Sequence, residues 1–356
     1  VVGGGTGMIG DPSGKSAERN LLGEAQIEAN LVGLREQIGR FLDFAPGGAL
    51  LLDNGDWLKR LSLIEFLRDV GKSFTVNYML AKDSVKRRLG SDVGISYTEF
   101  TYLVLQAYDF LRLFEDHGVV LQVGGSDQWG NITAGIDLIR SQRAARAHGF
   151  VFPLVTKADG SKFGKTESGT VWLSAARTSP YRFYQFWINA ADADVSRYLR
   201  YFTFLSRAEI EGLEEQHAQA PRQRIAHARL AEEITRMVHG DEGLVRAQRA
   251  TQVFFGGELR DLPAAEVLDV FADVPAAELP IGRVRGATFV DLLVEVGLMA
   301  SKGEARRAIE GGGVYLNNQR VADAARVLGD QDLIDGRLIV LRKGKKHHHV
   351  VRVGGG

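Results

Sequence analysis

Tyr102, Gln106 and Asp109 recur at i, i+4 and i+7. At about 100° per residue they share one narrow stripe of a helix. Leu103, Val104, Leu105, Phe110 and Leu113 surround that stripe, so little of the helix is left to be wet. Buried polar groups need partners, and three in a row suit a shared ligand. A phenol, an amide and a carboxylate in this order can hold an amino acid's ammonium and a hydroxyl on its side chain. The competing reading is a solvated polar face.

Three glycine-punctuated runs add phosphate and nucleotide chemistry. Gly5-Thr6-Gly7-Met8-Ile9-Gly10 matches the dinucleotide-binding spacing, but Asp11-Pro12 follows at once and interrupts the helix that pattern requires. Gly14-Lys15-Ser16 resembles the end of a P-loop, yet Ile9 stands where its leading glycine belongs. The favoured reading is a turn at the carboxyl end of a strand, where open α/β sheets bind ligands. Asp11, Lys15 and Arg19 would face that site, one carboxylate and two cations for a substrate carrying an ammonium and phosphates. Gly124-Gly125-Ser126-Asp127-Gln128 lets a ligand approach the backbone, with Asp127 for ribose hydroxyls and Gln128 for a carbonyl or carboxylate. Lys162-Phe163-Gly164-Lys165-Thr166 places two lysines at i, i+3, able to close over phosphates and neutralise a departing pyrophosphate. An ordinary strand-to-helix turn and a solvated loop are the structural alternatives for the last two runs.

The elements that would carry these residues alternate. Residues 24–44 have a helical stripe at Ile27, Leu31, Leu34, Ile38 and Phe41; 49–52 and 119–123 are short apolar runs predicted as strands; helices are predicted around 61–70, 80–89 and 98–117. Such alternation predicts a mostly parallel, Rossmann-like sheet covered by helices. From 179 to 255 strand signals vanish and polar helices dominate. Residues 257–285, with Pro263, Pro275 and Pro280, read as a linker holding one short helix. The rest mixes helices at 289–296 and 302–310 with β-like runs at 314–316 and 338–341. The domains expected are therefore 1–177 (α/β, catalytic), 178–256 (α-helical), the linker 257–285, and 286–356 (small, α+β, with a basic tail).

The chain has 356 residues, 45% hydrophobic and 25% charged, with no apolar run long enough to span a membrane. Cysteine is absent, which excludes disulfides and thiolate metal sites and suits a reducing cytoplasm. A net charge of zero argues against indiscriminate nucleic-acid coating, though a local basic face can still bind RNA. Val1-Val2 runs straight into Gly3-Gly4-Gly5, as the end of a strand entering a turn would, so upstream sequence is expected to be absent.

Taken together, residues 1–19, 97–113, 124–133, 156–172 and 178–188 resemble the corresponding runs of bacterial tyrosyl-tRNA synthetases, in the same order and spacing. Lys162-Phe163-Gly164-Lys165-Thr166 resembles the class I lysine signature loop of that family, and Gly125-Ser126-Asp127-Gln128 its adenylate-binding turn. The resemblance implies ATP-dependent activation of L-tyrosine to tyrosyl-adenylate, then transfer to tRNA(Tyr), by a cytoplasmic homodimer using Mg2+ with ATP and no tightly bound metal. It implies that Asp11, Tyr102 and Gln106 hold the tyrosine ammonium and that Asp109 accepts the phenol. Gly125 would line the ATP and adenylate site, Asp127 would meet the ribose, Gln128 the carboxylate or adenylate, and Lys15, Arg19, Lys162, Lys165 and Thr166 the pyrophosphate. The family's His-x-Gly-His signature and its first tyrosine-binding Tyr lie upstream of what corresponds to Val1, and no His precedes His117. Impaired adenylate formation is the expectation for this stretch alone.

Residues 288–341 resemble an S4-type RNA-binding module. Lys302, Arg306 and Arg307 fall near one helix face, and Lys345 and Lys346 lie in a run from Arg337 onward without an acidic residue. His347-His348-His349 is not read as a metal site, because adjacent side chains diverge in a strand. The rival functions are a non-enzymatic RNA-binding protein on the same scaffold and a tryptophanyl-tRNA synthetase, which Tyr102 and Asp109 suit less well.

Overall fold

The computed structural model describes residues 1–13, 22–90, 94–160, 163–166, 169–254, 256–259, 262–272, 274–344 and 347–354, with the backbone alone for 165, 166 and 169. The chain divides into two compact units, Val1–Thr156 and Lys157–Gly356. The boundary expected after residue 177 therefore lies inside the second unit, and the lysine loop belongs with the helical region. Among the described residues no helix is long and apolar enough to cross a membrane.

In the first unit the helices are α1 (Glu24–Ile38), α2 (Gly55–Leu58), α3 (Leu63–Glu65), α4 (Val76–Leu80), α5 (Asp83–Leu89), α6 (Tyr97–His117) and α7 (Trp129–Arg143). A π-helical turn, Phe66–Val70, continues α3. Strand β1 (Leu121–Gly125) pairs in parallel with β2 (His148–Phe152), Leu121 opposite His148. Ser96 caps α6 by accepting a hydrogen bond from the Glu99 amide, and Gly118, with φ 65°, ends it in the left-handed region. Leu103, Val104, Ala107, Phe110 and Leu111 of α6 pack against Ala134, Leu138 and Ile139 of α7 in one buried cluster. Gly135 makes the close approach possible, since a Cβ there would lie 2.9 Å from the Phe110 ring.

Several local expectations fail in this unit. Residues 49–52 form no strand; Val2 makes one isolated parallel bridge to Asp53, and Leu50 is 66% exposed. The helix expected over 24–44 ends at Ile38, and of its stripe Leu34 and Phe41 stay exposed while Ile27 is buried. β1 was expected to be buried, yet Leu121 and Val123 are half exposed. Only β2 pairs with β1 among the described residues, and apolar composition alone cannot bury a strand that lacks cover on its outer face.

In the second unit β3 (Lys165–Thr166) and β4 (Gly169–Thr170) form a minimal antiparallel hairpin within the lysine loop. Then come α8 (Pro180–Ile188), α9 (Asp192–Phe202), α10 (Arg207–Gln219) and α11 (Ile225–Phe254), the last broken at Gly240, where φ is 71°. Next are α12 (Ala264–Val270), β5 (Ala276–Pro280), α13 (Ile281–Val284), α14 (Phe289–Glu295), α15 (Lys302–Glu310), β6 (Val314–Leu316), β7 (Gln319–Arg320), β8 (Leu338–Lys343) and β9 (His347–Gly354). The five-stranded sheet has order β5-β9-β8-β6-β7.

Both faces of that sheet are covered. Ile339, Leu341, Val351 and Val353 point into a core with Phe289, Leu292, Ala305 and Ile309. Leu338, Val340 and Val350 point the other way, against Val253, Val267 and Phe271. The supposed linker 257–285 is thus no free connector, because α12 supplies one core and β5 pairs in parallel with β9. The run read as a basic tail, with its β-like stretch at 338–341, is paired into the sheet: β9 is a strand, His348 is buried, and the Arg342 guanidinium lies 3.8 Å from the Tyr315 ring centre. Sheet pairing accounts for both differences, since neither a proline-spaced run nor a basic one announces its partner strand.

Candidate active site

The stripe on α6 is where the first unit concentrates polar groups. Asp109 is 6% exposed, and both its oxygens are occupied from outside the helix. Asn54 Nδ2 donates to Oδ2 at 2.9 Å and Trp57 Nε1 donates to Oδ1 at 2.7 Å. Burial pushes the Asp109 carboxyl up to about 6, with the bonds from Asn54 and Trp57 opposing it. The group is therefore ionised at neutral pH yet poorly solvated, which makes it a strong acceptor for one further donor; each carboxylate oxygen has a second lone pair to offer.

Asn54 also ties this carboxylate to the glycine turn. Its Oδ1 accepts from the Gly5 and Thr6 amides at 2.8 and 3.3 Å, and its Nδ2 donates to Thr6 Oγ1 at 2.8 Å. Asp53 accepts from the Gly4 amide at 2.9 Å. Residues Thr6–Met8 make a single 3-10 turn, and no helix starts at Gly10, where φ is 89°. The dinucleotide reading of Gly5–Gly10 is thus set aside by the backbone itself.

The turn delivers Asp11 to a second polar chain. Gln128 Nε2 donates to Asp11 Oδ2 at 2.7 Å, and the Ser13 amide to Asp11 Oδ1 at 2.9 Å. Asn131 Nδ2 donates to Gln106 Oε1 at 2.9 Å and reaches Ser13 Oγ at 3.2 Å and Gln128 Oε1 at 3.3 Å. Asp11, Gln106 and Gln128, drawn from three distant stretches, are therefore joined through Asn131. Tyr102 is half-buried one helical turn before Gln106. Asp127 sits in the 3-10 turn Ser126–Gln128, its Oδ1 only 2.6 Å from where a Cβ on Gly125 would be, so a side chain there would displace the Asp127 carboxylate.

The sequence alone did not single out Asn54, Trp57 or Ser13, and it read Asn131 only as the start of a helix. Asp53-Asn54-Gly55 after an apolar run was the available signal, since ligand-facing residues gather at that end of a strand in α/β folds.

Of the proposed pyrophosphate residues, Lys15, Arg19 and Lys162 lie outside the described residues, and of Lys165 and Thr166 only the backbone, in β3, is described. Phe163 anchors that loop, packing on Phe186, Trp187, Tyr198 and Phe202 at centroid distances of 5.1–5.7 Å. The Ala158 amide donates to Asp194 Oδ2 at 3.1 Å. In the C-terminal region Arg306 and Arg307 are exposed on α15, whereas Lys302 is paired with Asp291 at 2.6 Å; Lys345 and Lys346 lie outside the described residues.

A family model described as tRNA synthetases class I (W and Y) matches residues 1–256, and one described as a tyrosine–tRNA ligase SYY-like C-terminal domain matches 266–351. The chain belongs to the class I tRNA synthetases of that group. Within it the chain sides with the tyrosine–tRNA ligases: that of Roseiflexus castenholzii is 59% identical and that of Geobacillus stearothermophilus 53%, each over 99% of this chain and 84% of the relative. Among solved structures, a C-terminally truncated mitochondrial tyrosyl-tRNA synthetase of Aspergillus nidulans superposes with a TM-score of 0.60 at 30% identity, over 70% of this chain and 74% of that one. The Coccidioides posadasii counterpart gives 0.56 at 33% identity, over 69% and 72%.

Proposed function

We infer that the chain is a tyrosine–tRNA ligase, activating L-tyrosine with ATP and passing it to tRNA(Tyr). The observation that carries this reading is the buried Asp109 carboxylate, held by Asn54 and Trp57, on the same helix face as Tyr102 and Gln106. A phenol is the side-chain group that donates to such a carboxylate and otherwise presents an apolar ring.

In this reading Asp11, Tyr102 and Gln106 take the ammonium, Asp109 the phenol, Gln128 the carboxylate or adenylate, and Asp127 the ribose, with Gly125 lining the adenylate site. The tyrosine carboxylate attacks the ATP α-phosphate and pyrophosphate leaves. Lys15, Arg19, Lys162, Lys165 and Thr166 would balance the charge growing on it, with Mg2+ bound through the phosphates. The terminal ribose hydroxyl of tRNA then attacks the tyrosyl carbonyl and releases AMP. No side chain acts as a covalent nucleophile; position and charge do the work.

Domain roles follow the same reading: catalysis by 1–177, anticodon recognition by the helical 178–256, and S4-like RNA binding by 286–356 through Lys302, Arg306, Arg307, Lys345 and Lys346. A cytoplasmic homodimer is the expected assembly. Tyrosine-dependent ATP–pyrophosphate exchange and charging of tRNA(Tyr), measured with the full polypeptide, test the assignment. Exchange driven by tryptophan rather than tyrosine, or none with either, would overturn it.

A further inference from the structure

Three helix ends meet in the second unit around groups that the proposed adenylation chemistry does not involve. Asp192 opens α9, His217 stands in the last turn of α10, and His227 lies in the first turn of α11. The His227 side chain is fully buried, with the Ala190 backbone and the Asp192 carboxylate as its polar neighbours; Nδ1 of His217 has no hydrogen-bond partner among the described residues. A fully buried imidazole facing a carboxylate is an arrangement that a cation held between them would stabilise. Asp192 Oδ1 lies 3.2 Å from His227 Nε2 and 3.7 Å from His217 Nε2. One ligand atom from each residue falls within 4.8 Å of the other two.

The two separations from Asp192, 3.2 and 3.7 Å, are near those of a tetrahedral ion's ligands. Ligands at ordinary zinc–nitrogen and zinc–oxygen distances stand about 3.3 Å apart. Two imidazoles and one carboxylate favour borderline divalent transition metals over Mg2+ or Ca2+, which prefer all-oxygen shells. We propose that Asp192, His217 and His227 form a three-ligand site for a Zn2+-type ion, with water as the fourth ligand. The Asp192 side chain is 59% exposed, which gives ion and water a way in.

Arg224 is the opposing charge, its Nη1 3.8 Å from Asp192 Oδ1. It is held elsewhere, donating through Nη2 to the carbonyls of Ile188 at 2.7 Å and Ala190 at 3.1 Å. It therefore moderates affinity without filling the site. Bound metal would tie the starts of α9 and α11 to the end of α10, a structural role independent of the tyrosine site. The ligands come from three separate helices, so no spacing motif betrays them in the sequence.

The test is calorimetric titration of the full chain with Zn2+, and with Co2+ followed by its visible absorption. One equivalent is expected, with the strong bands of a four-coordinate Co2+ centre and a higher melting temperature with Zn2+. Asp192→Asn and His217→Gln, both changes at positions with some solvent access, should each weaken binding about tenfold or more and remove the melting shift. The histidines of β9 are the competing ligands, so His347→Gln/His349→Gln should leave all of this unchanged. Absence of saturable binding, binding that survives both Asp192→Asn and His217→Gln, or binding lost with the β9 pair would each overturn the proposal.

Discussion

Trp57 Nε1 donates to Asp109 Oδ1 at 2.7 Å, so an indole from a four-residue helix holds the carboxylate at the base of the α6 stripe. Trp57→Phe keeps an aromatic ring and removes the donor. Hydrogen bonds to charged groups contribute roughly 1.5–3 kcal/mol, and this one helps keep Asp109 ionised. Tyrosine affinity at pH 7 should fall about tenfold, less at pH 8.5, while ATP affinity holds. Equilibrium dialysis with labelled tyrosine at the two pH values reads the difference; equal losses at both would argue against a protonation effect.

The same group gives the enzyme a pH profile. With its carboxyl raised to about 6 from 3.8, Asp109 is protonated in the folded chain where the unfolded chain has already released the proton. Between roughly pH 4 and 6 this group's contribution to stability therefore falls as pH rises, by up to about 3 kcal/mol in all. Tyrosine binding runs the other way, weakening as pH drops through about 6 because the protonated carboxyl is a poorer acceptor. Dissociation constants and urea midpoints taken from pH 5 to 8, with Asp109→Asn as the non-titrating control, check both directions.

Arg88 and Glu99 form a buried pair, Nη2 to Oε2 at 2.8 Å with side chains 2% and 1% exposed. The Arg88 Nε also donates to the Gly94 carbonyl at 3.0 Å. Glu99→Gln leaves a buried guanidinium short of its counter-ion and should cost about 3–5 kcal/mol; Arg88→Met/Glu99→Leu should cost less than either single change. Denaturant unfolding of the three variants decides it, and a double variant as damaged as the worst single one would contradict the argument.

Gly135 separates packing from chemistry. A Cβ there would lie 2.9 Å from the Phe110 ring, on the helix that carries Tyr102, Gln106 and Asp109. Gly135→Ala should cost about 1–3 kcal/mol by overpacking and weaken tyrosine binding without touching any ligand-facing residue. Phe110→Leu in the same chain should restore part of both losses.

On α15 the exposed Arg306 and Arg307 are available to phosphates, while Lys302 is engaged by Asp291 at 2.6 Å. Arg306→Ala and Arg307→Ala should each weaken tRNA binding and lower its salt slope by about one; Lys302→Ala should do less. Filter binding across a salt series distinguishes them.

What was legible in the sequence was periodic or local. The α6 stripe follows from 3.6-residue periodicity, and the helix predicted over 98–117 is found as Tyr97–His117. α15 and β6 fall where their apolar spacing put them. Tertiary structure alone decided the rest. Asn54 reaches Asp109 across 55 positions, and Gln128 reaches Asp11 across 117, distances over which no periodicity operates. β5 inside a proline-spaced run and β9 inside a basic one exist because each found a strand to pair with, and β1 is half exposed because only one face found cover. Local composition determines what a segment can form; burial and pairing with remote segments determine which of those possibilities lowers the free energy.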